Sequence, residues 1–108
     1  MKGKIVFIPF LFTDLTSNKL RSALVLYEGE KDVVVAFICS QIDKLKPIDI
    51  IINEKNVEFK QTGLKLCSTI KLDKVATISK ELIVGEIGEI GPKIKREVNR
   101  KITEIYSL

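Results

Sequence analysis

Up to residue 90 the apolar residues of this chain come in short β-branched runs, cut by polar or glycine-containing breaks. After Pro92 the spacing changes to that of a helix. This division constrains the fold more than any other feature, because short runs of period two or continuous apolarity make strands and a 3.6-residue period makes a helix. Lys4 to Phe12 is β-branched and aromatic and reads as a strand; Pro9 within it requires an edge or a bulge, since it cannot donate to a ladder. Thr13 to Lys19 reads as a loop. Ala23 to Tyr27 and Val33 to Ile38 read as two strands of a hairpin turned at Glu28-Gly29-Glu30-Lys31. Their near-continuous apolarity implies strands covered on both faces.

Ile48 to Ile52 and Thr69 to Leu72 read as further strands. Residues 53–66 show poor periodicity and hold at most a helical turn. Glu81 to Ile90, with glycines at 85, 88 and 91, reads as a curved strand with turns. Pro92 then opens a helix on which Ile94, Val98, Ile102 and Ile105 recur at spacings of 4, 4 and 3. Its Lys/Arg-rich opposite face reads as solvated surface. Five or more short strands with one terminal helix imply a strongly bent sheet or small barrel.

The 108 residues suit a single domain spanning 1–108. Hydrophobic residues at 45% and charged ones at 30% fit a globular chain, and no apolar stretch is long enough to span a membrane as a helix. Met1-Lys2-Gly3-Lys4 runs into strand-like residues without a cleavable signal pattern, and Cys39 and Cys67 form no Cys-x-x-Cys pair. A reducing cytoplasm is the expected location. The absence of histidine excludes His₃ zinc sites and Ser-His-Asp triads. Residues 1–54 hold seven basic and seven acidic side chains, so the net charge of +4 lies wholly in the second half. That excess is compatible with plain solubility or with a polyanionic partner.

Several blocks, in order, carry a resemblance: Ile5-Val6-Phe7-Ile8-Pro9-Phe10-Leu11-Phe12-Thr13-Asp14, Lys19-Leu20-Arg21-Ser22-Ala23-Leu24-Val25-Leu26, and Val35-Ala36-Phe37-Ile38-Cys39-Ser40-Gln41. Gly63-Leu64-Lys65, Ile70 to Ile78 and Ile87-Gly88-Glu89-Ile90 follow. Together they resemble the MazF/PemK toxins of toxin–antitoxin modules, over essentially the whole chain. The resemblance implies a mainly β fold, an SH3-like barrel of five to seven strands with a C-terminal amphipathic helix. It also implies a homodimer and a metal-independent, cofactor-free endoribonuclease that cuts single-stranded RNA, the mRNA interferase activity. An acidic antitoxin protein is the implied protein partner, with DNA bound by the antitoxin complex.

The family's catalytic arginine falls on Arg21, and a guanidinium suits a phosphoryl transition state because its donors are fixed and permanently charged. The usual hydroxyl at the end of the third strand is replaced by Cys39, a poorer hydrogen-bond donor, with Ser40 beside it as a substitute. The bland alternatives are a surface arginine opening a strand and a small buried thiol. Ser22 stands where proline is usual, and Lys4 where an acidic residue is common. Lys71 and Asp73 fall where some members carry a basic residue and an aspartate facing RNA; two residues apart on a strand, they share a face. A cross-strand surface ion pair is the bland reading there. The resemblance implies that the loop supplies Thr13, Ser17, Asn18 and Lys19 as RNA contacts, together with Gln41 at the end of the third block.

The family chemistry is attack of a ribose 2′-hydroxyl on the adjacent phosphate, leaving a cyclic phosphate and a 5′-hydroxyl. Three rivals stand beside it: a degenerate member that binds RNA or antitoxin without cutting, a gyrase-poison-like toxin on the same barrel, and an unrelated SH3-like binding module.

Overall fold

Hydrogen-bonded pairing of the apolar runs builds one antiparallel sheet of six strands among the residues that the computed structural model describes, 1–9, 19–40 and 44–108. The strands are β1 (Lys4–Pro9), β2 (Leu20–Glu28), β3 (Asp32–Cys39), β4 (Ile50–Ile52), β5 (Ser68–Ser79) and β6 (Gly85–Glu89). A single turn of helix, α1 (Phe59–Thr62), lies between β4 and β5, a 3-10 turn (Lys80–Leu82) between β5 and β6, and α2 (Pro92–Tyr106) ends the fold. The order across the sheet is β4-β5-β3-β2-β1-β6. The expected extension of the first strand to Phe12, and the loop residues up to Asn18, lie outside the described residues.

Side chains leave this sheet on both faces into apolar surroundings, as the continuous runs of β2 and β3 imply. On one face Ile5, Leu24, Ala36, Ile38, Ile70 and Leu72 pack with Ile90, Ile94 and Val98 at and on α2. On the other, Val6, Ile8, Ala23, Val25, Val33, Val35 and Ile78 form a second cluster, flanked by half-buried Phe37, Ala76, Leu82 and Ile83.

Two readings of the sequence need correction. β1 is an inner strand, not an edge: it pairs with β2 on one side and β6 on the other. Pro9 is tolerated because β6 reaches only to Phe7, opposite Gly85, so the proline faces Leu20 alone. β5 also runs well beyond Leu72. Its register to β3 jumps from Phe37↔Lys71 to Ala36↔Val75, leaving Leu72, Asp73 and Lys74 bulged out. Across that bulge the alternation changes phase. Ile70 and Leu72 join the α2 cluster, whereas Ala76 and Ile78 join the other.

The start of α2 is capped from a distance. Pro92 has no N–H, and Lys95 N donates to Gly91 O; the two remaining first-turn donors, Lys93 N and Ile94 N, meet the Glu58 carboxylate at 2.9 and 3.0 Å. Glu58 is buried, which opposes its ionisation, but these two backbone donors with the Lys93 and Arg96 charges hold its carboxyl below the usual range. At the other end Tyr106 Oη donates to Leu72 O, docking the helix on the bulge of β5.

Candidate functional site

Register relates the two central candidates. The β2–β3 pairing ends at Ala23 opposite Phe37, and carried two residues further along each strand the same register would align Arg21 with Cys39. Cys39 pairs in turn with Thr69, and Thr69 with Ile51. Opposed residues of an antiparallel pair point to the same face, so Cys39, Thr69 and Ile51 form a row across three strands, with Arg21 at the same register beyond the paired end of β2 and β3. Phe37 and Lys71 form the adjacent row with Ala23.

Along this row exposure differs. Arg21 is exposed, Cys39 half-buried and Thr69 fully buried, while Ser40 is exposed at the bend that follows β3. Lys19 is exposed immediately before β2. Thr13, Ser17, Asn18 and Gln41 lie outside the described residues. An exposed guanidinium and an exposed hydroxyl can offer a phosphate a permanently charged fork of donors and a neutral hydroxyl donor.

Lys71 and Asp73 do not pair with each other. Each is joined instead to the connection between β3 and β4. Lys71 Nζ lies 2.7 Å from Asp49 Oδ2 and 3.4 Å from Lys44 O; Lys46 Nζ lies 2.7 Å from Asp73 Oδ2. The Lys46 hydrogen bond, against a smaller effect of burial, holds the Asp73 carboxyl below its ordinary range, and the same contact raises Lys46.

The Lys71–Asp49 pair is of another kind, since the Asp49 side chain is only 1% exposed and that of Lys71 13%. Breaking a buried ion pair by removing one partner typically costs about 3–5 kcal/mol, because the other charge is left uncompensated. Asp49 Oδ2 also accepts from Lys46 N at 2.9 Å. Lys101 of α2 reaches across to the carbonyls of Pro47 and Asp49 at 2.6 and 2.8 Å.

Sequence reasoning missed Asp49, Thr69 and Lys101. The available signal for Asp49 was a carboxylate set among isoleucines, Ile48-Asp49-Ile50, which demands a buried cation. Thr69 and Lys101 gave no such signal. Among the described residues no group of three or more Cys, Asp or Glu side chains is placed to hold a metal ion, and no helix is long and apolar enough to cross a membrane.

A curled six-stranded antiparallel half-barrel carrying a C-terminal helix on one face defines the MazF-like class of fold. The chain matches the family described as PemK-like, MazF-like toxin of type II toxin–antitoxin systems over residues 1–106, and it belongs to that family. The Mycobacterium tuberculosis toxin MazF-mt6 is similar in structure, with a TM-score of 0.74 at 18% identity over 97% of each chain. An endoribonuclease in complex with its cognate antitoxin, from a mycobacterial species, gives 0.73 at 15% identity over 100% of this chain and 95% of that one. A further mycobacterial endoribonuclease gives 0.70 at 15% identity, over 96% and 88%. At these identities the likeness establishes the fold. No match is found among curated protein sequences.

Proposed function

We propose that this toxin is a sequence-dependent, metal-independent endoribonuclease acting on single-stranded RNA. The observation that carries the reading is the family match over residues 1–106; the β2–β3 register, continued two residues beyond Ala23 and Phe37, supports it by aligning Arg21 with Cys39, next to exposed Ser40. In this reading the ribose 2′-oxygen attacks the adjacent phosphorus and the bond to the 5′-oxygen breaks. The 2′-hydroxyl loses its proton, the 5′-oxygen gains one, and a cyclic phosphate remains. Arg21 balances the charge that builds on the phosphate oxygens. Ser40 donates in place of the hydroxyl that Cys39 lacks. Asp73, held ionised by Lys46, is a weak base and serves as a contact to donor groups of the bases, with Lys19 and Lys71 on the backbone.

Family membership supports two partners for this chain. One is an acidic antitoxin segment that folds on binding and covers the Arg21 groove. The other is a second copy of the chain, as a two-fold homodimer of which sedimentation at micromolar protein would reveal more than the ~12 kDa species. The half-buried thiol of Cys39 favours one rival, a member that binds RNA without cutting it. Incubating a mixed-sequence RNA pool in EDTA with wild type and Arg21→Ala separates these readings. The nuclease reading expects cleavage by wild type and loss of about a hundredfold in rate in the variant. Wild-type rates surviving in Arg21→Ala would overturn the assignment of Arg21, and RNA retained uncut by wild type would establish the non-cutting rival.

A further inference from the structure

The cluster around Asp49 joins the terminal helix to the candidate site through three steps. Lys101 on α2 holds the carbonyls of Pro47 and Asp49; Asp49 holds Lys71; and Lys71 sits opposite Phe37, one row from Cys39 and Thr69. An ammonium has three donors. For Lys71, one is directed to Asp49 Oδ2 and a longer one to Lys44 O, and among the described residues the third has no acceptor. A lysine side chain has four rotatable bonds, so an exposed one contributes charge without a defined position. Here burial of the stem and a 2.7 Å contact with a carboxylate that is itself fixed remove that freedom.

The same residues tie down the chain leaving the site. Cys39 and Ser40 open the β3–β4 connection, and Lys44, Lys46 and Asp49 anchor its far end on β5. We infer that Asp49 is a positioning residue for RNA cleavage: braced by Lys101, its carboxylate fixes the Lys71 ammonium beside the Cys39–Thr69 row, where it meets a phosphate of the bound RNA. This inference rests on the nuclease reading above. A solely structural Asp49 is the competing account, and it makes different demands on kinetics.

The test is single-turnover cleavage in EDTA of an RNA that the wild type cuts, at saturating protein. The variants are Asp49→Asn, Lys71→Gln, their double mutant and Lys101→Met, with Arg100→Gln as a control in an exposed pair on α2. Affinity is measured separately with the 2′-deoxy form of the same oligonucleotide, which cannot be cut. Asp49→Asn and Lys71→Gln are each expected to slow cleavage by about tenfold to a hundredfold. Binding of the uncut analogue should change by no more than about threefold, because other basic groups still meet the backbone. The double mutant should be no slower than the worse single mutant, since both remove one device.

Lys101→Met leaves no buried charge behind, so it reads the same linkage if Asp49→Asn fails to fold; it should also slow cleavage without weakening binding. Losses that multiply in the double mutant, or folded Asp49→Asn cutting at the wild-type rate, would overturn the proposal while leaving the nuclease reading intact. If Asp49→Asn does not fold, full-rate cleavage by Lys101→Met would overturn it. Failure of the wild type to cut any RNA would overturn the nuclease reading and this inference with it.

Discussion

Replacing Glu58 tests whether α2 is held by a cap supplied from 35 residues away. In Glu58→Ala the N–H groups of Lys93 and Ile94 lose acceptors at 2.9 and 3.0 Å, and Ile94 is buried. A hydrogen bond to a charged group contributes about 1.5–3 kcal/mol, and a stranded buried donor costs a similar amount. Two such bonds, offset in part by the relief of a buried carboxylate, give an expected loss of about 2–4 kcal/mol. With a urea m-value of about 1.5 kcal/mol/M for a chain this size, the midpoint should fall by roughly 1.3–2.7 M with m unchanged, at fixed protein concentration.

Gly91 supplies an independent route to the same contact. A Cβ there would lie 2.4 Å from Glu58 Cδ, so Gly91→Ala must drive the carboxylate off the helix end. It should cost nearly as much as Glu58→Ala, and the double mutant little more than either. Because the Glu58 carboxyl is held below its ordinary value of 4.5, its stabilisation is fully present above that pH and disappears as the pH falls through the lowered value. The gap between wild type and Glu58→Gln should therefore close in acid. A Glu58→Ala midpoint within about 0.3 M of wild type, or fully additive losses in the double mutant, would refute the capping argument.

Gly63 ends α1 at φ +74°, and a Cβ there would lie 2.0 Å from the Ile87 carbonyl oxygen; Gly63→Ala should cost at least about 2 kcal/mol, whereas Gly85→Ala, with nothing within 4 Å, should fall within about 0.5 kcal/mol of wild type by the same urea titration. Glu28 accepts from Lys80 and from the amino terminus, and this holds its carboxyl at about 2, down from 4.5. Its contribution is present above pH 4.5 and fades towards pH 2, so the acid limb of Tm against pH should be shallower in Glu28→Gln. Cys39→Thr should raise the single-turnover rate and Ser40→Ala lower it; no change in either would remove the substitute-donor role from Ser40.

Much of this fold was legible because local pattern and tertiary burial agree. Val33 to Ile38 is apolar at every position, and β3 has clusters on both faces, Ala36 and Ile38 on one and Val33 and Val35 on the other. α2 announced itself through Pro92 and the spacing of Ile94 and Val98. The reading of β5 stopped at Leu72 because Asp73 and Lys74 interrupt the apolar alternation; beyond the bulge that they occupy, the same even positions resume but turn to the other face. Pro9 misled in another way, since a proline at the last position of an inner strand looks in sequence like one on an edge. At the site, Arg21 and Cys39 were identified through resemblance, and the hairpin register stops two residues short of both. The Lys71 and Asp73 partners were not legible. Both come from the β3–β4 connection, and an ion pair between residues 22 or 27 apart leaves no periodic trace. Asp49 was passed over because it sits inside an apolar run, where a carboxylate is read as an interruption and not as a buried anchor.

The most direct measurement of the central claim uses one short RNA that the toxin cuts and a copy with a single 2′-deoxy nucleotide on the 5′ side of the scissile bond. Both are incubated with protein in EDTA and the product ends analysed by mass. The account predicts a cyclic phosphate and a 5′-hydroxyl from the first RNA, no cutting at that bond in the second, and near-complete loss of both products with Arg21→Ala. Cleavage of the 2′-deoxy bond at the ribose rate, or product ends carrying a 5′-phosphate, would contradict it.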